Sequence, residues 1–358
     1  MDKSINISNI LNIYEKEISK NIKNKRKLYD FEINKMAYVT SIINLLKNGC
    51  VGHNKYNIFL IREPKVRLVM SLPVKDKVIN HFLTRYILED KLSKYLDDRN
   101  IATRKNMGTD YGVKLIKKYI NILKNKYNNF YILKIDISKY FYSIDHNILK
   151  ELLRDKLDAD EYKVISKIID STNQKYINDN INKIIANNNV DIPIYNYGKG
   201  LPIGNMTSQF LSIFYLYKLD HYIVHDLKLK YYVRYMDDFV IMDSDLNKLK
   251  NVKKIIESKL NKEYNLNINS KKTFISSINN GFSFLGYTYK IINNRLIIKI
   301  KKSNYEKIKR RIKYLKKIFN KSKNYYQVFC SIMTYTNAYK FASNRKILKI
   351  INKYWYEE

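Results

Sequence analysis

The chain has 358 residues and a formal net charge of +34, from 67 Lys and Arg against 33 Asp and Glu. Charge of that size and sign points to a polyanion partner, nucleic acid first. Two unpatterned cysteines, Cys50 and Cys330, and five scattered histidines exclude a Cys-based zinc site and fit a reducing, cytoplasmic setting; no membrane span or signal peptide is predicted.

Residues 1–50 show helical spacing, as at Ile10, Leu11, Tyr14 and Ile18. Asn57-Ile58-Phe59-Leu60-Ile61 and Val66-Arg67-Leu68-Val69-Met70 read as strands, split by Glu63-Pro64-Lys65. Pro73 precedes a helical pattern through Val78, Ile79, Phe82, Tyr86, Ile87 and Leu92, and a second helix is expected from about Tyr111 to Lys124. Phe130 to Ile137 is a buried strand by composition. Residues 173–197 are Asn-rich and read as a loop or insertion with little to bury. A helix over 209–227 leads to a hairpin over Tyr231–Met242, then a helix over 246–261. Phe282–Tyr287 and Arg295–Ile300 read as strands, and the chain is helical and basic from Asn304 onward. Helices interleaved with strands make the fold α+β or α/β.

Chemistry concentrates in the hairpin. Asp237 and Asp238 lie between two apolar runs, where a charged pair needs a reason. Asp136 stands within Leu133-Lys134-Ile135-Asp136-Ile137, and an acid there is costly unless paired or on a metal. The bland readings are a surface turn for the pair and a helix cap for Asp136. Three acids converging at strand ends would suit two divalent cations, roughly 3.5–4 Å apart, in phosphoryl transfer.

Lys134-Ile135-Asp136-Ile137-Ser138-Lys139-Tyr140-Phe141-Tyr142-Ser143-Ile144-Asp145-His146 and Tyr235-Met236-Asp237-Asp238 resemble the two acidic motifs of bacterial reverse transcriptases. Gly200-Leu201-Pro202-Ile203-Gly204-Asn205-Met206-Thr207-Ser208-Gln209 resembles the motif between them. Asn269-Ser270-Lys271-Lys272-Thr273 and Phe284-Leu285-Gly286-Tyr287 resemble the two that follow. Lys65-Val66-Arg67-Leu68-Val69 and Ile101 to Thr109 resemble the finger motifs. All seven run in order over about residues 57–300.

This resemblance implies an α+β right-hand polymerase with an antiparallel palm sheet. It divides the chain into an N-terminal helical extension (1–50), fingers and palm (51–300, with fingers at 57–125 and mainly palm at 126–300) and a basic helical thumb (301–358). The implied reaction is synthesis of cDNA on an RNA template from deoxynucleotides. Asp136, Ile137, Asp237 and Asp238 would bind two Mg²⁺ ions, with Mn²⁺ a substitute, and Lys272 would protonate the leaving pyrophosphate. Arg104, Lys105, Ile137, Phe141, Gly204, Asn205 and Gln209 would hold the nucleotide, with Phe141 a gate against a 2′-OH. Lys65, Arg67, Tyr235, Met236, Lys309, Arg310 and Lys313 would contact nucleic acid. His146 would pack or cap behind the site.

Most bacterial relatives carry Pro-Gln-Gly in the middle motif, whereas Pro202-Ile203-Gly204 stands here. That form resembles diversity-generating retroelement enzymes and some defence-associated groups. Both imply a dedicated non-coding RNA, and an accessory protein or homo-oligomer as further partners. No maturase, endonuclease or RNase H segment is expected. A template-independent or protein-primed polymerase, and a catalytically silent nucleic-acid-binding scaffold, are the rival readings.

Overall fold

A computed structural model of the chain describes residues 4–51, 55–62, 66–322 and 325–342, with positions 349 and 353 beyond. Three short helices come first: α1 (Ile7–Ile13), α2 (Lys25–Ile33) and α3 (Lys35–Lys47). Asn6 and Asn24 cap the first two through side-chain oxygens that accept backbone N–H groups. Their buried residues, among them Ile10, Ile13 and Ile42, share a core with α4 (Val74–Leu83), which continues through a π-helical turn into α5 (Glu89–Leu92). Between these helices, β1 (Asn57–Ile61) and β2 (Arg67–Ser71) form an antiparallel ribbon.

Helix α6 (Thr109–Lys126) leads into β3 (Tyr131–Asp136). Helices α7 (Tyr140–Ser143), α8 (His146–Arg154), α9 (Ala159–Ile169), α10 (Lys175–Asn188), α11 (Met206–Tyr215) and α12 (Tyr217–His221) follow. Then come β4 (Tyr232–Tyr235), β5 (Asp238–Asp243), α13 (Leu246–Tyr264) and β6 (Phe274–Ser277). The chain goes on through β7 (Phe282–Phe284), β8 (Tyr287–Ile292) and β9 (Arg295–Ile300) to α14 (Lys302–Ser322) and α15 (Tyr325–Ala338).

A four-stranded antiparallel sheet, ordered β4-β5-β3-β6, divides two cores. Side chains alternate across a strand, so Leu133, Ile135, Phe239 and Ile241 enter one core while Ile132, Val240 and Met242 enter the other. The first core is shared with α8, α9, α11 and α13; the second takes α6, the β7-β8-β9 sheet and α14. Both faces are covered, which explains why β3 and β5 read as near-continuous apolar runs. The mixed, antiparallel α+β class is as expected. No helix among the described residues is long and apolar enough to cross a membrane.

Three expectations need correction. Residues 173–197 are not a bare loop: α10 occupies their first half. Asn is a weak helix former, but Ile177, Ile181, Ile184 and Ile185 make a helical stripe that packs with Leu68, Met70 and Tyr195; tertiary burial overrides propensity. The run Phe282–Tyr287 is not one strand, because Leu285 (φ 50°) and Gly286 (φ 84°) reverse the chain between β7 and β8. The helix over 209–227 starts at Met206 and breaks at Leu216 before α12.

Ile181 is fully buried. Ile181→Ala should lower the unfolding free energy by about 2–4 kcal/mol in urea titration. A loss below about 0.5 kcal/mol, the range of an ordinary surface change, would mean that α10 does not pack as described.

Candidate active site

Strand pairing sets the site. In the β3–β5 register Asp136 lies opposite Asp238, and in the β4–β5 hairpin Tyr235 lies opposite Asp238, leaving Met236 and Asp237 as a two-residue turn. Met236 has φ 57°, a left-handed conformation uncommon for a side chain of its size. The Ile137 N–H donates to the Asp237 carbonyl (3.2 Å), which ties the end of β3 to that turn. All three acids are therefore at one end of the central sheet, and Asp136 does not act as a helix cap.

Two lysines answer this charge. Lys272 Nζ donates to both Asp136 oxygens, at 2.7 and 2.9 Å. It is delivered by a turn whose Asn269 N–H donates to the Asp136 carbonyl (2.7 Å). On β3 itself, Lys134 pairs with Asp238 Oδ2 (3.0 Å) and donates to the Ser283 carbonyl on β7 (2.6 Å). Lys134 was not singled out in the sequence, although a lysine inside a buried strand, two residues from Asp136 and so on the same face, is a readable signal.

Burial and the neighbouring charge of Asp136 hold the Asp237 carboxyl above its usual range, partly offset by Lys272 and Arg67. Burial pushes Asp238 up to about 6, against the pull of Lys134 and with repulsion from Asp237 and Asp136. Among the described residues, no group of three or more His, Cys, Asp and Glu side chains is arranged to hold a metal ion as it stands. In kind the donors fit a hard divalent cation, which takes oxygen ligands. Asp238 Oδ1 is buried with no hydrogen-bond partner, the type of atom a cation would satisfy.

The middle turn lies against the same site. Leu201 N–H donates to the Phe141 carbonyl and Gly200 N–H to that of Ile144, both at 2.7 Å. Gly200 has φ 88°, and a Cβ there would meet the Tyr195 ring at 2.5 Å. Gly204 has φ 120°, and a Cβ would stand 2.9 Å from the Met70 carbonyl on β2. Both positions need glycine, for conformation and for space. Asn205 precedes α11 as its N-cap residue and donates from Nδ2 to the Tyr56 hydroxyl (3.1 Å). Gln209 is exposed on α11 and Phe141 is half-buried. His146 is almost fully buried, 2.8 Å from the Gly200 carbonyl and 3.2 Å from Asp170; burial lowers its pKa, so it packs behind the turn as a neutral ring.

Other expected contacts are placed less directly. Arg104 donates to the carbonyls of Asp97 (2.7 Å) and Asn100 (3.1 Å), while Lys105 is exposed. Arg67 is exposed on β2, and Lys65 lies outside the described residues. Tyr235 is half-buried, and Met236 Sδ is 3.5 Å from the Ser212 hydroxyl. On α14, Ile308, Ile312 and Leu315 are buried, whereas Arg310 and Lys313 are exposed and Lys309 partly so.

A family signature described as reverse transcriptase (RNA-dependent DNA polymerase) matches residues 53–289. No curated protein matches the chain. Among solved structures, apo telomerase from Candida tropicalis truncated from its C-terminal domain is 15% identical, with a TM-score of 0.48. The similarity covers 72% of this chain and 59% of that one, so less than two thirds of the telomerase chain is spanned.

The raised Asp238 pKa has a thermodynamic consequence. A carboxyl that titrates higher folded than unfolded stabilises the fold below the unfolded pKa, and loses that contribution as pH rises through the folded value. In metal-free buffer, the wild type should therefore lose stability relative to Asp238→Asn between about pH 4 and 6. A shift to about 6 corresponds to about 2–3 kcal/mol. A pH-independent difference in urea unfolding would contradict the burial of an ionising Asp238.

Proposed function

The chain belongs to the reverse transcriptase (RNA-dependent DNA polymerase) family, and on that premise we propose that it copies an RNA template into cDNA. The observation that carries this reading is the register that sets Asp136 opposite Asp238, with Asp237 on the adjoining turn. In this assignment residues 57–125 serve as fingers, 126–300 mainly as palm and 301–358 as thumb, with 1–50 a helical extension.

The reaction joins the primer 3′ oxygen to the α-phosphorus of a deoxynucleoside triphosphate. The bond from that phosphorus to the bridging oxygen breaks, pyrophosphate leaves, and the 3′-OH proton passes to solvent. Asp136, Asp237 and Asp238, with Ile137 beside them, would hold two Mg²⁺ ions. Such ions lower the pKa of the attacking hydroxyl and neutralise charge on the leaving phosphate. Lys272 is about half exposed, so it can move from Asp136 to donate a proton to the departing pyrophosphate. Phe141 is tied through its carbonyl to the middle turn; its flat ring would lie beneath the sugar and exclude a 2′-OH. Gly204 and Asn205 bring backbone close to the nascent pair, and Ile203 lacks the hydrogen bonds a glutamine would offer it. Arg104 and Lys105 would turn to the triphosphate, as Arg does through paired N–H donors. Lys309, Arg310 and Lys313 would follow the duplex backbone, which gives affinity without sequence reading.

The middle motif Pro202-Ile203-Gly204-Asn205 supports two biological settings. One is a diversity-generating retroelement; the other is an anti-phage defence enzyme working from a non-coding RNA.

Primer extension tests the proposal. Purified wild type should extend a primer on RNA with deoxynucleotides, and Asp237→Ala should not, with folding retained. Phe141→Ala should raise ribonucleotide incorporation by roughly tenfold or more, the scale of a single pocket contact. Activity that survives Asp237→Ala would sink the assignment. Sequencing the DNA that co-purifies with wild type alone separates the settings: repeat-derived cDNA with errors at adenines indicates diversification, and a repetitive or non-coding-RNA-derived product indicates defence.

A further inference from the structure

Arg234 and Asp220 are both fully buried, and neither belongs to the motifs above. Arg234 lies on β4, just before the acid turn; Asp220 lies on α12. A guanidinium has five N–H donors and no solvent here to accept them, so the chain supplies acceptors. Arg234 Nε donates to Asp220 Oδ1 (2.7 Å), and Nη2 donates to Asp220 Oδ2 (2.5 Å) and to the Ile213 carbonyl (2.8 Å). The Tyr232 hydroxyl donates to Asp220 Oδ1 (2.6 Å), completing the carboxylate's set. The remaining donation goes to the acid turn: Nη1 reaches the carbonyl of Met236 (2.9 Å), the residue directly before Asp237.

These bonds join two parts of the site. Ile213 sits in the last turn of α11, where carbonyls lose their helical partners. Its carbonyl takes Arg234 and Asn100 instead (3.2 Å for Asn100). The other end of α11 begins at the Gly204–Asn205 turn. A single guanidinium therefore sets the acid turn against the helix that carries the middle motif.

We infer that Arg234, locked by Asp220, is a positioning residue that fixes the Met236 carbonyl and so the direction of the Asp237 and Asp238 carboxylates. The inference rests on the reading that those carboxylates hold divalent cations. Stability alone is a poor reason for such a pair, since well-packed apolar replacements of a buried ion pair are often neutral or stabilising. An apolar pair would lack the donor to Met236, whose left-handed backbone needs holding.

Two variants test this. The triple variant Arg234→Met/Asp220→Leu/Tyr232→Phe removes the buried charges together and orphans no hydroxyl. Arg234→Lys keeps the charge but loses the planar fork. Each is titrated with Mn²⁺ alone by electron paramagnetic resonance, then assayed for primer extension. The inference expects the folded triple variant to bind Mn²⁺ about tenfold or more weakly, the usual effect of removing support behind a metal ligand. It also expects kcat to fall with the primer–template KM held, and Arg234→Lys to lie between. Mn²⁺ affinity within about twofold of wild type, well short of the loss expected for such a residue, would overturn it. If the triple variant does not fold, the same criterion applied to Arg234→Lys decides. An Asp237→Ala control that keeps both Mn²⁺ binding and activity would instead show that the site reading itself has failed.

Discussion

Three carboxylates gathered at one end of a sheet repel one another, and two lysines of the site answer that repulsion. Like charges a few ångströms apart cost about 4 kcal/mol at 4 Å under protein-like screening. Strand pairing does not permit escape: Asp136 and Asp238 are opposed by register, and the Ile137 N–H holds the Asp237 carbonyl against the end of β3. The fold responds with ammonium groups, Lys272 on Asp136 and Lys134 on Asp238, and leaves one Asp238 oxygen without a partner. Two ammonium groups thus meet the charge of three carboxylates only in part.

Geometry around that centre comes from hydrogen bonds to backbone rather than from bulk packing. The middle turn is laced to the segment after β3 by the Gly200 and Leu201 N–H groups, and to β2 by the Met70 N–H, which donates to the Ile203 carbonyl (2.8 Å). The acid turn is fixed from behind by Arg234. Lys134 reaches the Ser283 carbonyl and so connects Asp238 to the second sheet. Rigid elements thus carry the candidate side chains, the arrangement that keeps a site within the tolerance chemistry requires.

Local signals in the sequence were enough for the central strands β3, β4 and β5 and for placing the three acids at their ends, whereas β6 and β8 went unread. Apolar runs broken by Asp136 and by Asp237-Asp238 were legible because a charge inside a buried run has few explanations. The three-dimensional complements were not. Arg234 looks like an ordinary basic residue in a chain of +34, and only its burial distinguishes it; Lys134 is legible as a lysine inside an apolar strand, but its pairing with Asp238 is not. Helix α10 was hidden by its asparagines, since its stripe of isoleucines matters only once β1 and β2 cover it. The reversal at Leu285-Gly286 was hidden by the aromatic residues flanking it, which suit one strand as well as two. Arg104 illustrates the opposite case: its motif pointed to a triphosphate, and its guanidinium is found on the carbonyls of Asp97 and Asn100.

The central claim is that the three carboxylates form one divalent-cation centre whose place is held by lysines. Diffraction from crystals grown with Mn²⁺ and a primer–template, read by anomalous scattering, tests it most directly. The account predicts manganese peaks against Asp136 and Asp237 or Asp238, with Lys272 withdrawn from Asp136. Crystals that show both lysine pairs intact and no anomalous density at the end of β3 would contradict it.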